Sequence, residues 1–104
     1  MAINVQIVDH SARISMTGRF DFSVYRDFKN AYTALLMNAA VQEIAIEMSG
    51  VDYMDSAALG MLLLLNERAS EANKPVILLN VSDTVFQVLE TANFSKFFEI
   101  KRMG

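Results

Sequence analysis

The sequence predicts an α/β fold with a mixed sheet of four to five strands and helices mainly on one face of that sheet. Three observations support this: two strand-like segments at the start, a regular succession of helices and strands after them, and polar residues at alternate positions of the first three strands. A hairpin starts the sheet antiparallel, and strand–helix–strand crossovers continue it in parallel. Because the polar positions leave one sheet face in solvent, the helices are expected on the other.

The first two strands are expected to form a half-buried hairpin around the turn Asp9-His10-Ser11. Apolar residues alternate with polar ones in both strands, and the apolar positions are Ile3, Val5, Ile7, Ala12, Ile14 and Met16. From Ser23 the apolar spacing changes to that of an amphipathic helix, which is predicted to continue to about Asn38.

A third strand and a second helix follow. Ile44, Ile46 and Met48 alternate with more polar residues, which predicts a strand followed by a turn at Ser49-Gly50. The second helix is expected to begin at Asp55-Ser56 and to stop at Asn73-Lys74-Pro75. Asparagine tolerates the left-handed conformation that ends many helices, and proline cannot extend one.

The last third of the chain predicts a strand, a helix and a short strand. Residues 76–79 are apolar throughout, as in a buried strand, and Ser82 is placed to cap a third helix. Residues 97–101 are expected to form a short edge strand. No linker or repeat divides the sequence, so residues 1–104 are interpreted as one domain.

Composition excludes several classes of function. The net charge of −3 and the lack of a basic cluster argue against binding to nucleic acid or to an anionic membrane. The apolar runs are too short for a spanning helix, and the first residues do not resemble a secretory signal, so a cytoplasmic protein without stable membrane association is expected. The absence of cysteine excludes disulfides and thiolate metal sites.

Four polar residues are predicted to meet at one edge of the sheet. If the second and third strands are parallel neighbours, their carboxyl ends lie side by side, and the loops that follow carry Asp21, Asp52, Asp55 and Ser56. A simpler interpretation of Asp55 and Ser56 is that both only cap the helix. His10 lies at the opposite end of the second strand, about 20 Å away, so it cannot serve Ser56 as a general base.

The segment from Val51 to Gly60 resembles the phosphorylation segment of STAS-domain anti-sigma-factor antagonists. In that family an Asp-Ser pair opens a helix and is followed by small residues, leucine and glycine, as in Asp55-Ser56-Ala57-Ala58-Leu59-Gly60 here. Gly18-Arg19-Phe20-Asp21 also resembles the family's segment after the second strand. Ala57 stands where many relatives have a second hydroxyl, which leaves Ser56 as the candidate phosphoacceptor of this segment.

The resemblance implies a non-enzymatic switch protein without a cofactor. Its unmodified form is expected to bind an anti-sigma factor, commonly one with a serine-kinase domain, until phosphorylation of Ser56 abolishes binding; a serine phosphatase restores it. The residues expected to contact the partner are Asp21, Phe22, Asp52, Met54, Asp55, Ala57, Ala58 and Gly60. A monomer or a weak homo-oligomer is expected, because part of the apolar second helix is left exposed.

Other functions remain as alternatives. The same fold serves as an adaptor subunit in lipid or anion transport assemblies and would then need no phosphoserine. A phosphoacceptor receiver domain is less favoured, because the first strand does not end in the acidic pair that such chemistry requires. Asp21, Asp52 and Asp55 could hold magnesium, although helix entry and solvation explain them more simply. No glycine-rich phosphate loop supports a nucleotide-binding enzyme.

Overall fold

A five-stranded mixed sheet forms the centre of the computed structural model, which describes residues 2–103. The strands are β1 (Ala2–Val8), β2 (Ser11–Phe20), β3 (Glu43–Met54), β4 (Val76–Val81) and β5 (Glu99–Arg102), and they lie side by side in chain order. The α-helices are α1 (Tyr25–Leu36), α2 (Ser56–Glu71) and α3 (Asp83–Thr91). β1 pairs antiparallel with β2, and every later pair is parallel. The predicted α/β fold class is confirmed.

The two faces of the sheet differ as the alternation predicted. Residues that pair across the sheet share a face, and the core row consists of Val5, Ile14, Ile46, Leu78 and Ile100. Ile14, Ile46 and Leu78 of this row belong to one hydrophobic cluster with Phe28 of α1, Leu62 of α2 and Leu89 of α3, Ile100 packs against that cluster, and Val5 on the edge strand is 40% exposed. The neighbouring row includes the exposed residues Gln6, Arg13 and Glu99. The helices therefore cover one face and leave the other in solvent.

β3 is longer than predicted, and the expected turn at Ser49-Gly50 is wrong. The pairing of β2 with β3 shifts register between Ser15–Glu47 and Thr17–Gly50, so the strand absorbs an extra residue as a bulge and continues to Met54. A Cβ atom at Gly50 would lie 2.7 Å from Cγ2 of Thr17. Glycine is needed here because two strands approach closely, not because the chain turns.

β1 is more exposed than the half-buried strand that was predicted from the sequence. Ile3 is partly buried, but Ile7 is 47% exposed although it lies on the same face as the buried Ala12. β1 is the outermost strand of the sheet and has a neighbouring strand on one side only. Apolar alternation correctly identified the strand and its inner face but not its position at the edge.

The helix boundaries follow the capping residues closely. A 3-10 turn at Phe22–Val24 precedes α1, which therefore begins two residues later than the predicted start at Ser23. α2 ends just before Asn73, whose φ of 59° is left-handed as expected. Ser82 Oγ accepts a hydrogen bond from the amide of Val85 at 3.3 Å, so the predicted cap of α3 is confirmed. β4 extends two residues further than predicted, and β5 begins two residues later.

Candidate functional site

The carboxyl ends of β2 and β3 lie side by side, as the sequence predicted. Phe20, the last residue of β2, pairs with Met54, the last residue of β3. The chain then enters a helical segment from each strand, with Asp21 as the first residue after β2 and Asp55 as the first after β3. Register alone therefore brings the two aspartates and the adjacent Ser56 to one edge of the sheet.

Asp55 and Ser56 have different roles at the start of α2. Asp55 has an extended backbone, and its Oδ1 atom accepts a hydrogen bond from the amide of Ala58 at 3.0 Å, so Asp55 is the helix cap. Ser56 is the first residue of the helix and is exposed. Within residues 2–103 its hydroxyl forms no hydrogen bond. Helix capping therefore explains Asp55 but not Ser56, whose hydroxyl is accessible to solvent.

Asp21 is held as a fixed negative charge next to this helix start. Its Oδ1 atom accepts hydrogen bonds from the hydroxyl of Ser23 and from the Ser23 amide, the latter at 3.0 Å. These bonds, together with Arg19 Nε at 3.7 Å, lower the pKa of Asp21 below its ordinary value of 3.8. The carboxylate therefore stays ionised at neutral pH.

Arg19, Phe22 and Tyr53 are further surface residues that flank the edge, and of these only Phe22 was predicted from the sequence to contact a partner. The Arg19 guanidinium carbon lies 3.8 Å from the centroid of the Tyr53 ring, a cation–π arrangement across β2 and β3. Phe22 is exposed and stacks on Tyr25 with ring centroids 5.4 Å apart. Arg19 and Tyr53 were missed because the predicted turn at Ser49-Gly50 ended the strand before Tyr53.

The other residues predicted to contact a partner fall into two groups. Asp52 and Gly60 are exposed, and Ala57 is partly exposed, so all three are accessible at this edge. Met54 and Ala58 are 7% and 0% exposed and belong to the hydrophobic core. Met54 is the last inward position of β3, and Ala58 lies on the side of α2 that packs against the sheet, so both side chains are withdrawn from the surface in this structure.

His10 lies at the other end of β2, as predicted. It occupies the turn between β1 and β2, is exposed, and its Nδ1 atom is 2.9 Å from the carbonyl oxygen of Ala40. Ten residues of β2 separate it from Asp21, a distance of about 33 Å along an extended strand. The imidazole cannot reach Ser56 to take up its proton.

Two general properties of the described residues bear on the alternatives. Within residues 2–103, no three histidine or acidic side chains cluster closely enough to hold a metal ion. None of the helices in that range combines the length and the apolar character needed to cross a bilayer.

Comparison with protein families identifies the domain. A family model described as "Mlab, STAS domain" matches residues 3–101, which is nearly the whole chain. A STAS-domain containing protein of Pseudomonas aeruginosa (strain UCBPP-PA14) is 37% identical over 87 residues, covering 84% of this chain and 84% of that protein.

Solved structures share the fold at lower sequence identity. The anti-sigma factor antagonist SpoIIAA in its unphosphorylated form is 21% identical with a TM-score of 0.75, covering 95% of this chain and 86% of that one. The phosphorylated form of the Bacillus protein is 20% identical with a TM-score of 0.71, covering 95% and 90%. A sulfate transporter family protein from Wolinella succinogenes is 16% identical with a TM-score of 0.80, covering 92% and 80%.

Proposed function

The chain belongs to the STAS domain family, and we propose that it is a cytoplasmic anti-sigma factor antagonist that acts by partner switching. The unmodified protein binds an anti-sigma factor, and phosphorylation of Ser56 abolishes that binding. A serine kinase, which the anti-sigma factor itself can supply, adds the phosphate, and a serine phosphatase removes it. The observation that carries the proposal is the exposed hydroxyl of Ser56 at the first position of α2, which forms no hydrogen bond to residues 2–103.

The local geometry favours a modification that the fold tolerates. A phosphate at a helix N-terminus is locally favourable by about 0.3–1 kcal/mol, because the free amides and the helix dipole attract anions. Asp55 takes the amide of Ala58 as its partner, so the helix keeps its cap whether or not Ser56 is modified. Exposure of Ser56 also gives a kinase access to the hydroxyl without local unfolding.

Phosphorylation is expected to weaken partner binding because it places negative charge in a contact that excludes water. Phosphoserine brings a charge of about −1.5 to −2 to an edge that already carries Asp21, Asp52 and Asp55. Burying an uncompensated charge in an interface costs several kcal/mol, and each 1.4 kcal/mol weakens affinity about tenfold. We therefore expect phosphorylation to weaken partner binding by about a hundredfold or more without a large conformational change.

Two Ser56 variants test the switch directly. In affinity capture from the native cytoplasm, Ser56→Ala is expected to retain the partner under all conditions and Ser56→Asp to lose it. Ser70→Asp is the matched control, because it adds the same charge to an exposed position near the other end of α2 and should bind as the unmodified protein does. Equal capture by both Ser56 variants would remove Ser56 from the mechanism.

A second candidate function is that of an adaptor subunit in a lipid or anion transport assembly. The observation that favours it is the shared fold of the sulfate transporter family protein, which shows that the architecture also occurs outside sigma-factor regulation. Such an adaptor would copurify with membrane transport subunits, and Ser56→Ala and Ser56→Asp would capture them equally. The same capture experiment therefore separates the two functions.

A further inference from the structure

A groove between α1 and α2 extends from Tyr25, which stacks on Phe22, to the second half of α2. Its volume is about 540 Å³, and it is lined by residues of α1 and of the second half of α2, including Lys29, Tyr32, Leu36, Leu64 and Arg68. Arg68 is twelve residues beyond Ser56 on the same helix, which corresponds to about 18 Å along the helix axis. This volume falls in the range of about 300–1,000 Å³ that is typical of small-molecule sites.

A buried tyrosine, Tyr32, lines this groove. The Tyr32 side chain is only 3% exposed, and its ring packs edge-on against Phe28 with centroids 5.4 Å apart. Within residues 2–103 the hydroxyl forms no hydrogen bond, and it is not sealed inside the core. Burial, with a smaller effect from Tyr25, raises the pKa of Tyr32 above its ordinary value of 10.0. The group is therefore a neutral hydroxyl that can donate a hydrogen bond.

Two cations that have no ion-pair partner among the described residues line the same groove. Neither Lys29 nor Arg68 forms a salt bridge within residues 2–103, where the ion pairs are Arg19–Asp21 and Arg102–Asp83. The groove contains one carboxylate, that of Glu71, so the lining carries a net positive charge in a chain whose net charge is −3. This local excess of positive charge favours an anionic ligand.

The remaining wall of the groove is apolar. Leu36 of α1 and Leu64 of α2 line the groove and are partly buried, and Met37 lines it and is exposed. Methionine adapts its shape to different ligands because it is unbranched and has three rotatable bonds. The lining thus combines a polar end that suits an acid group with an apolar wall that suits a hydrocarbon or aromatic body.

We propose that this groove binds a small amphipathic organic anion. The acid group lies between Lys29 and Arg68 and accepts a hydrogen bond from Tyr32, while the apolar body packs between Leu36 and Leu64. A small molecule is the occupant because the groove encloses one concave volume of about 540 Å³, which is the size of a small-molecule site. The inference does not depend on the phosphorylation of Ser56.

A matched pair of dyes tests the proposal on the full chain. 8-Anilinonaphthalene-1-sulfonate is an amphipathic anion, and N-phenyl-1-naphthylamine carries the same rings without the sulfonate. Fluorescence titration is expected to show one saturable site for the sulfonate, with amide NMR shift changes confined to α1 and the second half of α2. The absence of saturable binding, or shift changes elsewhere on the molecule, would overturn the proposal.

Point variants identify the groups that hold the anion. Arg68→Gln and Lys29→Gln are each expected to weaken the affinity for the sulfonate dye about tenfold and to leave the affinity for the neutral amine dye unchanged. Tyr32→Phe keeps the ring but removes the hydroxyl, and it is expected to weaken the affinity for the sulfonate dye about three- to tenfold. Lys101→Gln removes an exposed cation outside the groove, and Ser56→Ala removes the hydroxyl at the start of α2. Both variants should bind the sulfonate dye as the unmodified protein does. Unchanged affinity in all three groove variants would refute the site.

Discussion

At the scale of single residues, Asp21 is the most constrained charge at the sheet edge where β2 and β3 end. Two hydrogen bonds from Ser23 hold one carboxylate oxygen, and Arg19 lies beside the other. This arrangement ties the conformation of the chain just after β2 to an ionised carboxylate. A binding surface built around such a group keeps its charge and shape over the whole physiological pH range.

The pKa of Asp21 should depend on Ser23. Ser23 supplies the largest causes of the lowering, so Ser23→Ala is expected to move the pKa of Asp21 upward towards 3.8, as measured by NMR titration of the side-chain carboxyl carbon. Because the folded pKa lies below the unfolded one, the stability from this ionised group is present above pH 3.8 and is lost as the pH falls through the folded value. Ser49→Ala serves as the control, and an unchanged pKa in Ser23→Ala would contradict the assignment.

Two glycines provide a matched pair for testing why glycine occurs where it does. A Cβ atom at Gly50 would lie 2.7 Å from Thr17 Cγ2 and 3.0 Å from the Met16 carbonyl oxygen, whereas one at Gly60 would meet nothing within 4 Å. Gly50→Ala is expected to lower the free energy of unfolding by about 1–3 kcal/mol through overpacking. Gly60→Ala is expected to raise it by about 0.5–1 kcal/mol, because alanine is the better helix former.

Urea denaturation of both glycine variants checks this pair. Equal stability of the two would show that the close approach of β2 and β3 at Gly50 is not a constraint. Gly60 is also among the residues proposed to contact a partner, so the stabilised Gly60→Ala protein allows partner binding to be measured without a loss of fold.

At the scale of elements, β3 shows what sequence reasoning can and cannot predict. Alternation identified its first half, and the cap residues identified where α2 begins. The bulges that extend β3 past Gly50 depend on its register with β2, a long-range property that local periodicity does not contain. The same missing information hid the Arg19–Tyr53 pair and the burial of Met54 at the end of β3.

The groove between α1 and α2 was missed for a related reason. Tyr32 lies on the buried stripe of α1 with Phe28 and Leu35, and a stripe of that kind usually forms core. Whether the hydroxyl of a core tyrosine finds a partner depends on how the next helix packs over it. The charges of Lys29 and Arg68 are visible in the sequence, but their convergence on one groove follows only from the packing of α1 against α2.

Lys74 links the loop after α2 to the C-terminal end of α1 and should contribute to stability. Its Nζ atom donates hydrogen bonds to the carbonyl oxygens of Leu35, Leu36 and Asn38 at 3.0, 2.9 and 2.8 Å, so it caps the C-terminal end of α1 from the loop after α2. A cation satisfies these free carbonyls and interacts favourably with the helix dipole. Lys74→Met is expected to lower the free energy of unfolding by about 1–3 kcal/mol.

The lysine prediction is checked by urea denaturation against Lys101→Met. Lys101 is exposed on the edge strand β5, and its replacement should change stability by less than about 0.5 kcal/mol. An equal effect of the two substitutions would show that the three hydrogen bonds of Lys74 contribute nothing beyond an ordinary surface charge.

At the scale of the whole molecule, the order of elements was enough to predict the architecture. A hairpin followed by right-handed crossovers allows few sheet topologies, and polar alternation in β2 selects the solvated face. Surface properties were harder to predict, because exposure at β1 depends on being the edge strand and partner contacts depend on which side of α2 faces the sheet. The fold and the start of α2 are thus encoded locally, whereas the composition of the binding surface is set by tertiary packing.

A phosphate switch of this design requires that the modification alter the surface while the fold remains intact. Ser56→Asp is therefore expected to unfold at the same urea concentration as the unmodified protein or to gain about 0.3–1 kcal/mol, because a negative charge at the N-terminus of α2 is favourable. Ser70→Asp places the same charge in the last turn of α2, where the dipole has the opposite sign, and is expected to lose about 0.3–1 kcal/mol. If the free energy of unfolding of Ser56→Asp instead fell by more than about 1 kcal/mol, a loss of partner binding in this variant would reflect unfolding rather than repulsion. Opposite changes in the free energy of unfolding for Ser56→Asp and Ser70→Asp would show that the charge at position 56 acts electrostatically and does not destabilise the fold.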